Sequence, residues 1–185
     1  MDSYNSQKLT EIALYILNAT GGATILYIHK IVYCAHRNML AKYALPLTTD
    51  TFQAWEKGPV PQSLNGALYA ISSGERPRLE GMEGAISYRQ TGEMQGLFVA
   101  NRGYDASRLS KMERSELDIA IAECLSMTPE KLINTFHDEA WRKARGEDMR
   151  QSLTMEVSDM VRAGGVDDED AISYAEERVI FAKGL

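Results

Sequence analysis

Apolar residues recur along most of this chain at intervals of three and four, with polar positions between them, the pattern of helices packed on one core. Leu9, Ile12, Ala13 and Ile16 mark the first helix, predicted over residues 7–18 and ended by Gly21 and Gly22. A second opens at Thr24 as N-cap. It puts Ile28, Ile31, Val32, Ala35 and Met39 on one face and cannot continue through Pro46. Phe52 and Ala54 alternate with Gln53, which predicts a short extended segment over residues 51–55. Gly58 frees the backbone to turn, and Pro59 and Pro61 read as the start of a third helix, where the first-turn amides have no acceptor to lose. Leu64, Ala67, Leu68 and Ile71 supply its core face, and Ser72, Ser73 and Gly74 end it.

The helical period disappears over residues 75–103. Ile86 and Tyr88 alternate before the glycine-bounded stretch from Gly92 to Gly96, and Leu97 and Val99 alternate after it, which predicts a small hairpin. Helical spacing returns after a capping box at Ser110 and Glu113, with Leu117, Ala120, Ile121 and Cys124. Thr128 and Pro129 repeat the cap-then-proline order for a short helix through Phe136. Thr154 is expected to cap a helix bearing Val157, Met160 and Val161, ended by Gly164 and Gly165. Asp167, Asp168, Glu169 and Asp170 place negative charge at the positive end of a last helix with Ile172, Ala175 and Val179. The expected fold class is mainly α, one helical domain with a small β-hairpin or short β element.

A chain of 185 residues suits one domain that buries roughly 70% of its extended surface, so the core needs no staple. Cys34 and Cys124 each fall on the apolar side of a predicted helix, where a free thiol behaves as a small hydrophobe; a reducing compartment fits best. The first seven residues are polar and lack the order of a signal peptide, and no apolar stretch reaches the roughly eighteen residues of a membrane span, so the expected location is cytoplasmic. A net charge of −6 argues against a general nucleic-acid binder, which needs a basic face. Arg142, Lys143 and Arg145 are the local exception, read either as a solvated helix end or as a phosphate site.

Catalysis would need a nucleophile with its base, paired carboxylates or a metal cluster at recognisable spacing, and none stands out; no cofactor or metal is expected. His29 and His36, seven apart on the second helix, are separated by a rise of about 10.5 Å, too far to share one metal at bonds of roughly 2 Å. Lys30, Tyr33 and Arg37 form a polar and aromatic strip read as a solvated border beside the apolar face. Trp55, next to Glu56, Lys57 and the Gly58-Pro59 corner, is either a core anchor or a partner contact.

The order Lys30, Tyr33, His36, Leu47, Ala54-Trp55, Gly58-Pro59-Val60 is similar to the signature of the Panacea domain, the SocA-like and GepA-like antitoxin family of bacteria and their phages. A second landmark, His137 to Trp141 with basic residues behind it, looks like the family's late His-x-x-x-Trp segment. Ala44 departs from the pattern, standing where the family commonly has glycine. The resemblance runs from the first helix to about Arg145, which implies a domain over residues 1–150 and leaves 151–185 as a helical extension expected to pack on the same domain. It implies a mainly helical fold and the antitoxin half of a toxin–antitoxin pair, neutralising a protein toxin from an adjacent gene by direct stoichiometric contact. The alternative it implies is an adaptor that delivers a bound client to an ATP-dependent protease. Expected partner-contacting or signature-supporting residues are Lys30, Tyr33, His36, Trp55, Glu56, Lys57, Gly58, Pro59, His137 and Trp141, with none catalytic. A remote third reading is an enzyme using His36 or His137 as general base. The apolar end of the chain from Val179 is expected to dock on its own core, on a second copy in a homo-oligomer, on the toxin or on the protease.

Overall fold

Nine consecutive residues, 28–36, are buried in the helix α2 (Ile25–Tyr43), which therefore runs through the middle of the molecule rather than along its surface. A computed structural model describes residues 2–92, 96–146 and 154–184. Around α2 stand α1 (Ser3–Thr20), α4 (Lys111–Leu125), α5 (Pro129–Phe136) and α7 (Val157–Ala163). A helix apolar on one face only would have left one side to solvent, but Lys30 and Tyr33 are as inaccessible as the leucines of the core. The expected solvated border at Lys30, Tyr33 and Arg37 is thus corrected: distant segments close over it.

Local signals set most boundaries. Asp2 caps α1 by accepting from the Asn5 amide at 2.7 Å, and Gly21 ends it in the left-handed region. Ser110 and Glu113 form a reciprocal capping box on α4, and Thr128 caps α5 ahead of Pro129. Thr24 precedes α2, but its side chain makes no cap hydrogen bond. Where α2 and α4 pack, Cys34 and Cys124 are both buried and free.

Ala44 ends α2 at φ +52°, the only non-glycine residue at positive φ among those described. That conformation crowds a Cβ, at a cost on the order of 1 kcal/mol, and explains a preference for glycine at this place. Ala44→Gly is expected to raise unfolding stability by about 0.5–1 kcal/mol, read as a higher urea midpoint at unchanged slope.

Pro59 and Pro61 do not start a helix. They lie in β2 (Gly58–Pro61), antiparallel to β1 (Phe52–Trp55), with Ala54 opposite Pro59 and Phe52 opposite Pro61. The Gln62 amide donates to the Thr51 carbonyl at 2.9 Å, so by alternation both prolines fall at positions where the ladder requires no amide. Glu56 and Lys57 make the turn at negative φ, and Gly58 at φ +95° absorbs the twist. The helix α3 (Gln62–Ser72) follows with Pro61 at its cap position, where no side chain can bond. Asp50 does that work from a distance: its buried carboxylate accepts the Ser63 amide at 3.0 Å and the Leu64 amide at 3.1 Å.

The second hairpin is where the alternation placed it, β3 (Ile86–Gln90) against β4 (Gly96–Ala100); its expected tip, residues 93–95, lies outside the described residues. Its phase differs. Tyr88 stands opposite Phe98 and Ile86 opposite Ala100, so the core face of β4 is Phe98, not Leu97 and Val99. Phe98 exchanges two backbone hydrogen bonds with Ala23, tying this hairpin to the α1–α2 link.

The short helix α6 (Glu139–Arg145) is capped by Asp138, and α7 and α8 (Glu169–Lys183) pack on each other, with α7 also against α2 and α6. The cap of α7 is Glu156 rather than Thr154; Thr154 instead bridges to Gln53, whose Nε2 donates to its hydroxyl at 3.0 Å. Asp168 caps α8 among the expected acidic residues. The boundary expected at residues 150 and 151 lies outside the described residues.

Candidate functional site

A two-stranded hairpin leaves outward carbonyls without partners, and on the β1–β2 hairpin five donors from three other places in the chain take up backbone carbonyls. Lys30 Nζ donates to the Pro59 carbonyl at 2.7 Å. Arg145 donates to Ala54 O at 2.9 Å, Trp141 Nε1 to Trp55 O at 2.8 Å and His137 Nε2 to Glu56 O at 3.1 Å. The Met155 amide reaches Phe52 O at 2.9 Å. His137 stacks flat on Trp141, centroids 3.7 Å apart, so the two donors brace each other. Gly58 leaves room for Lys30: a Cβ there would lie 2.9 Å from Lys30 Nζ.

One carboxylate holds the frame that carries these donors. Asp138 accepts the Tyr33 hydroxyl at 2.8 Å, an Arg37 guanidinium nitrogen at 3.0 Å and the Trp141 amide at 3.0 Å. Arg37 also lies over the rings of Tyr33 and Phe136, and Tyr33 packs edge-on against Phe52. Burial, with Asp138 adding to it, pushes the Tyr33 hydroxyl well above the usual phenol range.

The buried basic groups are shifted the other way. Desolvation brings Lys30 down to about 7, and His29 and His36 down to about 3. His36 packs against Phe52, centroids 4.8 Å apart, with Nδ1 unpartnered. A shifted histidine is what a general base would show, yet the cause here is burial: His36 is 2% exposed and cannot meet a substrate. His137 is also lowered, by burial first, and its Nε2 is committed to Glu56 O. Among the described residues no group of His, Cys, Asp and Glu could hold a metal ion.

What the clamps present is the turn itself. Trp55, the first-named candidate contact, is 41% exposed, and Glu56 and Lys57 are exposed beside it. Between this corner, the first turns of α2 and α5, one face of α3 and the β3–β4 hairpin runs a groove of about 700 Å³. Tyr69 of α3, 68% exposed, stands on its rim; Val60 and Phe98 line it, as do His29 and Lys30.

The structure therefore divides the predicted residues. Lys30, Tyr33, His36, Gly58, Pro59 and Trp141 are buried and His137 is half-buried, all bound to or packed against the hairpin or its frame. Trp55, Glu56 and Lys57 are the accessible ones. In the basic cluster Arg142 and Lys143 are exposed at the helix end, Arg142 donating to His137 O at 2.6 Å and Lys143 pairing with Asp159 at 2.6 Å, while Arg145 is buried under β1. From the sequence, His29 was weighed only as a metal ligand, and Asp138, Asp50 and Tyr69 were passed over. Asp138, three residues before Trp141 and followed by Glu139, carried a legible N-cap pattern; the others carried none.

Among the described residues no helix is long and apolar enough to cross a membrane. A family model described as antitoxin SocA-like, Panacea domain, matches residues 28–142, from α2 into α6. No curated protein and no solved structure matches the chain at a significant level.

Proposed function

Because this chain belongs to the SocA-like Panacea antitoxin family, we propose that it neutralises a protein toxin by stoichiometric contact, through the β1–β2 corner and the groove beside it. The observation that carries this reading is the contrast at the corner: a backbone caught by buried donors on several sides presents one large aromatic ring, Trp55, to solvent. A rigid mount for an amphipathic ring limits the entropy lost on association, and tryptophan is among the residues that dominate interface energetics. The acidic balance of the chain favours encounter with a basic toxin.

The test is expression of each neighbouring reading frame under tight induction, with and without this protein. Growth arrest relieved by co-expression, with a complex that co-purifies, is the expected result. Trp55→Ala should then weaken the complex by about 10- to 100-fold while leaving folding stability within about 0.5 kcal/mol, since the ring is exposed. Wild-type affinity in that variant would remove the corner from the interface.

The adaptor reading has its own observation. On α8, Tyr174, Ile180 and Phe181 are exposed, Phe181 by 77%, as a tether surface would be. Val179 is buried, so removing the whole end would disturb packing; replacing Ile180 and Phe181 with serine is the cleaner separation. Neutralisation lost together with toxin turnover, in a variant that stays folded, would favour the adaptor, whereas neutralisation that persists would favour blocking.

A further inference from the structure

On a chain with six more acids than bases, the groove beside Trp55 has the opposite local balance: two lysines, Lys30 and Lys57, face one glutamate, Glu56. The rest of its lining is mostly aliphatic and aromatic. Lys8, Arg37 and Arg162, by comparison, each pair with a carboxylate. Lys30 is fully buried and meets only the Pro59 carbonyl, with no carboxylate partner among the described residues. In the same wall His29, 5% exposed, has Nε2 without a hydrogen-bond partner. A buried ammonium with no counter-ion is costly, which brings Lys30 down to about 7, and a negative group in the cleft next to it would favour its charged form.

We propose that this groove receives an extended, largely apolar segment of the toxin, and that an acidic side chain on that segment is held at Lys57, with the buried Lys30 behind it. The proposal rests on the toxin-binding reading above and specifies the chemistry of the contact. Lys57, being exposed, makes the direct ion pair; Lys30 acts through the wall by its field. Trp55 and Tyr69 close on the apolar side chains from the two rims, which removes water and strengthens the pairing.

The probes are three fluorescein-labelled, C-terminally amidated peptides of sequence Ser-Leu-Tyr-X-Leu-Tyr-Ser, with X glutamate, glutamine or lysine, titrated against the full chain by fluorescence anisotropy. The glutamate peptide is expected to bind at least about 10-fold tighter than the lysine peptide, with the advantage shrinking as salt is raised. Lys57→Glu should erase or invert the order, and Lys30→Met, checked for folding by circular dichroism, should reduce it. Absence of saturable binding, equal affinity for the glutamate and lysine peptides, or an order unchanged in both variants would overturn the proposal. Growth rescue separates this failure from that of the antitoxin reading. Full rescue by a Lys57→Glu, Tyr69→Ser double variant removes the groove and leaves the antitoxin, whereas no toxic neighbour removes the antitoxin and leaves the peptide titration to decide the groove.

Discussion

Asp138→Ala is expected to lower unfolding stability by about 3–5 kcal/mol, a large part of what a domain of this size possesses. The side chain is 12% exposed and does three things: it neutralises Arg37, itself 15% exposed, accepts the Tyr33 hydroxyl and caps α6 at the Trp141 amide. Its loss leaves a guanidinium between Tyr33 and Phe136 without a carboxylate, and a buried phenol without an acceptor. Asp138→Asn keeps an acceptor for the cap but removes the charge, so its loss should fall between wild type and alanine. Chemical denaturation of the three proteins gives that order; a stability for Asp138→Ala within about 1 kcal/mol of wild type would sink the assignment. Both variants should also loosen the β1–β2 hairpin, because His137 and Trp141 reach it from the segment that Asp138 anchors.

Acid should unfold this protein well before its carboxylates are neutralised. His29 and His36 are held at about 3 in the fold and return to about 6.5 on unfolding, so between those values the unfolded chain binds more protons. Stability from the two neutral rings is complete above about pH 6.5 and is lost as the pH falls toward 3. Each tenfold change in proton affinity is worth about 1.4 kcal/mol, so each histidine contributes several kcal/mol across that window. Lys30, lowered to about 7, works in the same direction higher up: stability gains as the pH rises from about 7 toward its unfolded value near 10.5. Tyr33, raised, opposes the trend above about pH 10, where the unfolded phenol ionises and the buried one does not. Urea midpoints from pH 4 to 10 should climb throughout and turn over only at the alkaline end. A flat profile from pH 6.5 to 4 would contradict the neutral burial of the two rings.

What the sequence made legible was what neighbouring residues decide. The capping box at Ser110 and Glu113 and the Thr128-Pro129 start are complete within one turn of chain, and both stand in the structure. The corner at Gly58 was half legible. A proline lacks the same amide at the start of a helix and at an unbonded strand position, so Pro59 and Pro61 fit both, and only the register against Phe52 and Ala54 separates them. The burial of Lys30 and Tyr33 had no local mark, since their partners Pro59 and Asp138 are remote in sequence. Asp50 was invisible for the same reason, a cap that does not adjoin its helix. For the candidate site, the sequence brought the residues of this corner into view, but their division into buried clamps and exposed side chains came only with their partners in the fold.

The donors that immobilise the hairpin arrive at very different moments of synthesis. Lys30 precedes Phe52 in the chain, whereas His137, Trp141, Arg145 and Met155 follow it by most of the domain. While the ribosome is still working through α4, Trp55 has its strand and its turn but not the anchors that fix them, and loop closure over such distances is slow. A nascent or prematurely released chain therefore lacks a fixed corner, and the corner sets only after the residues around Arg145 have emerged. The exposed face of the corner is thus a product of synthesis through Met155, which an interruption before that point would withhold.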